Sequence, residues 1–130
     1  MKRYLLDTCA FIDMMFNPSQ LSDRAAAEIE GNSELCVSIV SFWEIAIKQQ
    51  IGKLGIGDTS AEDLERACIE SGVSIIQTTP AQIDHIRKLP VFKDHGDPFD
   101  RLIISHAVFE NIPVITSDKK FKNYDINVVW

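Results

Sequence analysis

Asp7, Glu44, Asp100 and Asp118 are the residues of this chain whose type and placement suggest chemistry. Asp7 follows directly on the apolar run Tyr4-Leu5-Leu6, and Asp118 lies two residues after Thr116 in the run Val114-Ile115-Thr116. Both runs read as short buried strands. Glu44 falls in the first turn of a helix expected from Ser41 to Ile51. Asp100 falls in the first turn of a helix expected to begin near Asp97. In a parallel α/β sheet, ligands bind outside the carboxyl ends of the strands, and helices that follow those strands start at the same edge. Four carboxylates from distant positions are therefore expected to converge there. Converging carboxylates raise one another's pKa values, and a divalent cation relieves the repulsion. Oxygen ligands with little His or Cys suit Mg²⁺ or Mn²⁺. The chemistry such a cation supplies is polarisation of a phosphodiester, hydroxide from water and stabilisation of a leaving oxygen, which together amount to phosphodiester hydrolysis.

Each acid also fits a purely structural role. Ser41-x-x-Glu44 has the spacing of a helix capping box. Asp97 suits an N-cap, with Pro98 at the first helical position and Asp100 favoured by the helix dipole. Asp7 and Asp118 suit turns. Asp7 is the hardest to explain in this way, because a carboxylate pressed against a buried strand is costly unless paired or metal-bound.

The elements that must position these acids follow from patterning. Short apolar runs alternate with longer amphipathic ones, which predicts a mainly parallel central sheet between two helical layers, a three-layer α/β/α sandwich. Strands are expected at Tyr4 to Leu6, Leu35 to Ile39, Val73 to Gln77, Val114 to Thr116 and Asn127 to Trp130. Helices are expected from Leu21 to Glu30 with Ser22 as cap, from Ser41 to Ile51, from Thr59 to Ser71 with a Thr59-x-x-Glu62 box, from Pro80 to about Leu89, and from Asp97 to Glu110. Gly31 and Gly72 read as helix stops.

The 130 residues suit one domain over residues 1–130, and a hydrophobic content of 45% supplies an ordinary core. No apolar run reaches membrane-spanning length, and Asp7 and Asp13 interrupt the only stretch with a signal-peptide cast, so a cytoplasmic protein is expected. Cys9, Cys36 and Cys68 lie far apart, without Cys-x-x-Cys spacing. They read as buried thiols, not a disulfide framework or a zinc site. The net charge of −6 argues against nucleic-acid binding unless part of the excess holds cations.

Four segments resemble the motifs of PIN domains. Leu5-Leu6-Asp7-Thr8 is similar to the first and Ser38-Ile39-Val40-Ser41-x-x-Glu44-Ile45 to the second. Asp97-Pro98-Phe99-Asp100-Arg101-Leu102-Ile103-Ile104-Ser105-His106-Ala107 is similar to the third, and Val114-Ile115-Thr116-Ser117-Asp118-Lys119-Lys120-Phe121 to the fourth. They occur in order over nearly the whole chain. The branch resembled is that of the VapC-like toxins of bacterial toxin–antitoxin systems. The resemblance implies a Mg²⁺- or Mn²⁺-dependent endoribonuclease acting on RNA. It implies cation binding by Asp7, Glu44, Asp100 and Asp118, with Thr116 as a polar neighbour, and it implies a homodimer inhibited by a separately encoded antitoxin. Two positions depart from the pattern: Lys120 stands where many relatives carry a further acid, and Asp13, expected to be solvated with a place beside Asp7 as the alternative, stands where this branch often has an aromatic residue; Asp97 is an extra acid beside Asp100, read as an N-cap in preference to a direct ligand.

Among the remaining polar residues, Thr8 and Ser41 are candidate hydrogen-bonders to cation-bound water, with capping the alternative for Ser41. Arg101, Lys119 and Lys120 are the first candidates for phosphate contacts, with Lys48, Lys53 and Lys122 behind them. His85, His95 and His106 share no metal-ligand spacing. His95 reads as a surface loop residue within reach of a phosphate, and His106 as facing away from Asp100. Phe42 and Trp43 read as packing residues, or as a contact for an antitoxin or a dimer mate if exposed. Two other readings compete. An aspartyl-phosphate phosphatase usually needs a second Asp two residues after the first, where Cys9 stands. A non-catalytic interaction module would not need the acidic quartet. No glycine-rich phosphate loop or Ser-His-Asp ordering points elsewhere.

Overall fold

The computed structural model describes residues 2–31 and 33–130. Along the chain come β1 (Lys2–Leu6), α1 (Thr8–Phe16), α2 (Asp23–Glu30), β2 (Ser33–Ser38), α3 (Ile39–Gln50), α4 (Ala61–Ser71), β3 (Ser74–Ile76), α5 (Pro80–His85), α6 (Pro98–Glu110), β4 (Val114–Ile115) and β5 (Val128–Val129). Short 3-10 turns lie at Pro18–Gln20, Ile86–Lys88 and Lys119–Asn123. The strands form one sheet in the order β3-β2-β1-β4-β5, with every neighbouring pair parallel.

Strand side chains alternate between the two faces of a sheet. Tyr4 and Leu6, Val37 and Ile115 therefore enter one core with Phe11, Ala25, Phe42, Ile45, Leu64 and Cys68. Leu5, Cys36 and Val114 enter a second core with Ile103, Ile104, Ala107 and Phe121. Helices α1 to α4 cover the first face. Helix α6 covers the second, with α5 held against it where Ser105 Oγ donates to the Gln82 carbonyl at 2.8 Å. Both faces of the sheet are buried, as a parallel sheet requires, and the three-layer α/β/α sandwich expected from patterning is the observed architecture.

Local chemistry sets most boundaries where expected. Ser22 accepts from the Ala25 N–H, Thr79 and Gln82 form a reciprocal capping box, Asp97 caps α6, and Gly72 ends α4 in the left-handed conformation at φ 74°. Several expectations are corrected. Residues 8–16, which the sequence reading leaves unassigned, form α1. Its apolar residues surround the helix and carry little 3.6-residue pattern, and Asp7 caps it by accepting from the Ala10 N–H. Ile39 opens α3 instead of ending β2. The cap of α3 is Ser38, so the Ser41/Glu44 capping box does not form. The box of α4 is Ser60 with Asp63, one residue beyond Thr59 and Glu62. The helix expected to reach Leu89 stops at His85 and continues as a 3-10 turn. Cys36 and Cys68 are buried free thiols, but Cys9 is exposed on α1.

The strand order has one consequence for function. From β1 the chain crosses to β2 and then β3 on one side, and β4 and β5 lie on the other. The order reverses between β1 and β4, and a crevice outside the carboxyl ends of strands opens at such a switch point.

Candidate metal centre at the carboxyl edge of the sheet

Asp7 and Thr116 stand at the ends of the two strands that flank this switch point. Asp7 is 4% exposed. Its Oδ1 accepts from the Ala10 N–H at 2.8 Å, and its Oδ2 accepts from Thr116 Oγ1 at 2.5 Å. Thr116 Oγ1 in turn accepts from the Asp118 N–H at 3.0 Å, so one hydroxyl joins the end of β1 to the turn after β4. Burial pushes the Asp7 carboxyl up to about 7. The hydrogen bonds from Thr116 and Ala10 pull the other way, and the charges of Asp100 and Asp118 add to the rise.

Asp100 reaches the same edge from the first turn of α6. Its N–H donates to Asp97 Oδ1 at 3.0 Å, and Asp97 is thereby the N-cap. Its Oδ2 lies 3.2 Å from His95 Nε2. The Asp100 carboxyl is raised to about 6, by burial first and then by the Asp97 and Glu44 charges, with His95 opposing them. Asp118 Oδ1 accepts from the Lys120 N–H at 3.0 Å and caps the 3-10 turn Lys119–Asn123. Glu44 enters from α3, buried, with Oε2 at 2.6 Å from Lys48 Nζ. Its Oε1 is buried without a hydrogen-bond partner.

The four acids expected at this edge are therefore close enough for Asp100 and Asp118 to act on Asp7, and Glu44 on Asp100. The tightest group is a different one. One ligand atom from each of His95, Asp100 and Asp118 lies within 4.8 Å of those of the other two. Asp7 and Glu44 are not members of this trio. The donor set fits a hard divalent cation: carboxylate oxygens predominate, and among the described residues no cationic side chain hydrogen-bonds to the desolvated Asp7 and none partners the buried acceptor Glu44 Oε1.

Several side chains take roles other than those expected. His95 is 4% exposed instead of lying on the surface, with Nδ1 at 2.8 Å from the Tyr124 hydroxyl. The sequence signal for it is position alone, since a residue just before a capped helix start must lie near the first turn. Arg101 is committed to structure: Nη1 donates to the Pro90 carbonyl at 2.9 Å and to Tyr124 at 3.1 Å. Lys120 Nζ donates to the Asp94 carbonyl at 2.8 Å, and Lys48 is taken by Glu44. Lys53, Lys119 and Lys122 remain exposed. Thr8 Oγ1 and Ser41 Oγ bond to each other at 2.8 Å, which ties α1 to α3. Burial alone raises the Asp13 carboxyl. His106 is fully buried, 3.4 Å from Thr78 Oγ1, and burial lowers its pKa. Phe42 is a core residue. Trp43 is 61% exposed and meets Phe99 edge-on at 5.0 Å.

Solved structures share this architecture. A chain of the VapBC2 complex from Rickettsia felis, bound to a DNA fragment from its promoter, superposes with a TM-score of 0.67 at 19% identity, covering 97% of this chain and 96% of that one. A chain of VapBC-1 from nontypeable Haemophilus influenzae gives 0.56 at 22% identity over 97% and 96%. A chain of a toxin–antitoxin complex from Klebsiella pneumoniae gives 0.62 at 15% identity over 98% and 96%. At such identities the likeness is one of fold. No curated protein matches the chain in sequence. The sequence model of the PIN domain matches residues 4–127, a span that holds all four acids and both strands of the switch point, and the chain belongs to the PIN domain family.

Proposed function

We propose that the protein is a Mg²⁺- or Mn²⁺-dependent endoribonuclease, a single PIN domain acting as the toxin of a toxin–antitoxin pair. The observation that carries this reading is the burial of Asp7 in the field of Asp100 and Asp118, with Glu44 Oε1 buried and without a hydrogen-bond partner among the described residues. Asp7, Glu44, Asp100 and Asp118 are the side chains proposed to hold the cation. When bound, such an ion supplies Lewis acidity to a phosphodiester and to the attacking water. The chain itself holds the acids in place before substrate arrives. Ala10 and Thr116 orient Asp7, Asp97 fixes the turn that presents Asp100, and Thr116 ties down the backbone of Asp118. A cavity of ≈ 120 Å³ beside Asp118, lined in part by Lys119, Lys122 and Trp130, offers two exposed ammonium groups to an RNA backbone.

An antitoxin partner is proposed because the similar solved structures are described as toxin–antitoxin complexes. Exposed Trp43 is a surface suited to such a partner or to a second copy of the chain. Among the described residues no helix is long and apolar enough to cross a membrane, which fits a protein acting in the cytoplasm. The phosphatase reading is disfavoured, since exposed Cys9 occupies the place of the second acid.

The test is cleavage of RNA by the purified protein with Mg²⁺ or Mn²⁺ against Asp7→Asn and Asp100→Asn variants that keep the wild-type circular dichroism spectrum. Wild-type activity in both variants would refute the mechanism. Isolation with a small partner protein that suppresses cleavage would support the toxin assignment.

A further inference from the structure

The His95, Asp100 and Asp118 group has the spacing of a three-ligand cation site. The hydrogen bonds around His95 argue for another role. We infer that His95 is a positioning residue: its ring donates Nε2–H to Asp100 Oδ2, and it does not ligate the cation.

The proton on the ring is set by a chain of contacts. Arg101 Nη1 lies 3.1 Å from the Tyr124 hydroxyl, and a guanidinium only donates. The Tyr124 oxygen therefore accepts from Arg101, and its own proton needs an acceptor. His95 Nδ1, at 2.8 Å, is the acceptor among the described residues. With Nδ1 accepting, the proton of a neutral imidazole sits on Nε2, which faces Asp100 Oδ2 at 3.2 Å. The other tautomer sets a nitrogen lone pair against a carboxylate oxygen and leaves the Tyr124 proton without a partner. Unmet polar groups of this kind are costly where water is excluded, and His95 is 96% buried, taking the complement of its 4% exposure.

The ring is also held mechanically. Phe121 lies 5.9 Å away, centroid to centroid, and Phe92 braces Tyr124 edge-on at 5.0 Å. One oxygen of Asp100 is thus occupied by His95 and the other is left for a cation. This last step rests on the cation site proposed above, but the assignment of the tautomer does not. Hydrogen-bonded partners of this sort orient metal-binding carboxylates, and losing one typically weakens binding ~10–100-fold.

The test has two arms. In ¹⁵N-labelled protein without metal at neutral pH, long-range proton–nitrogen correlations identify the ring tautomer, with the His95 signals assigned by their loss in His95→Gln. The Nε2–H tautomer is expected, and it is expected to persist when Mg²⁺ is added. The Nδ1–H tautomer, or loss of Nε2–H on adding Mg²⁺, would overturn the inference. In the second arm, Mn²⁺ affinity is measured by calorimetry. Gln supplies an amide donor in place of Nε2–H, so His95→Gln is expected to stay near wild type, while His95→Leu weakens binding ~10–100-fold. Equal losses in the two variants, or none in either, would overturn the positioning role. Wild-type protein that binds no Mn²⁺ yet shows the expected tautomer would overturn both the cation site and the positioning role. That outcome is distinct from a wrong tautomer in protein that does bind Mn²⁺.

Discussion

Lys48 Nζ lies 2.6 Å from Glu44 Oε2, one turn further along α3, and it leaves Glu44 Oε1 buried and unpaired. The ion pair is lopsided. The Glu44 side chain is nearly inaccessible, while that of Lys48 is 38% exposed. The lysine therefore balances a buried charge from the rim of the site, as a counter-ion already in place before any metal arrives.

Removing that counter-ion is expected to expose the cost of the buried carboxylate. Lys48→Met should destabilise the metal-free protein by roughly 2 kcal/mol, below the range for a fully buried pair because the lysine is partly solvated. Mn²⁺ should restore part of the loss. Urea unfolding with EDTA and with Mn²⁺ measures both, and identical losses in the two conditions would count against cation binding near Glu44.

Asp7 makes stability depend on pH. Its carboxyl titrates near 7 in the folded protein against 3.8 when unperturbed. Across that window the folded state holds a proton that the unfolded state has released. The Asp7 contribution to stability is therefore fully present at and below pH 3.8 and is lost as pH rises to about 7, in total roughly 4 kcal/mol. Asp100, raised to about 6, adds in the same direction. Metal-free Asp7→Asn should be more stable than wild type above pH 7, with a flatter pH profile. Mg²⁺ or Mn²⁺ should stabilise wild type more than the variant. Thermal melts across pH check this, and a wild-type pH slope in Asp7→Asn would contradict it.

Thr116 donates to Asp7 and accepts from the Asp118 backbone with a single hydroxyl. Thr116→Val keeps the shape and removes both bonds. A loss of about 1–3 kcal/mol is expected, because a buried carboxylate oxygen and a half-buried N–H are left unmet. The Asp7 carboxyl should rise further once the Thr116 hydrogen bond no longer holds it down. Thr116→Ser retains the hydroxyl and should recover most of both effects. A serine variant no better than valine in unfolding and RNA cleavage would remove the hydroxyl from the account.

Asp97 separates capping from ligation. Asparagine caps a helix about as well as aspartate, so Asp97→Asn should cost little stability, whereas Asp97→Ala should cost about 1 kcal/mol. The Asp97 charge is one cause of the raised Asp100 carboxyl. Its neutralisation in Asp97→Asn should shift the pH dependence of Mn²⁺ binding to lower pH without abolishing binding. Complete loss of binding in Asp97→Asn would make Asp97 a ligand.

The sequence by itself determined the sheet, most of its covering helices and the edge where the acids meet. Apolar runs of strand length must be buried on both faces, and Ser22, Thr79 with Gln82, Asp97 and Gly72 mark helix ends through bonds made within a few residues. It did not disclose α1, whose residues are apolar nearly all round and carry little helical period. It also misplaced the α3 cap by three residues, since Ser38 and Ser41 both suit the position and only the end of β2 chooses between them. Tertiary structure alone decided which side chains touch. Thr116 reaches Asp7 across 109 positions, and Tyr124 reaches His95 across 29. It turned Arg101 from a phosphate contact into a brace for Tyr124, and it drew His95 from a loop to the side of Asp100. The physical reason is range. Caps and periodicity are settled by neighbours along the chain, whereas the partner of a buried polar group is settled by whichever strands the sheet sets side by side.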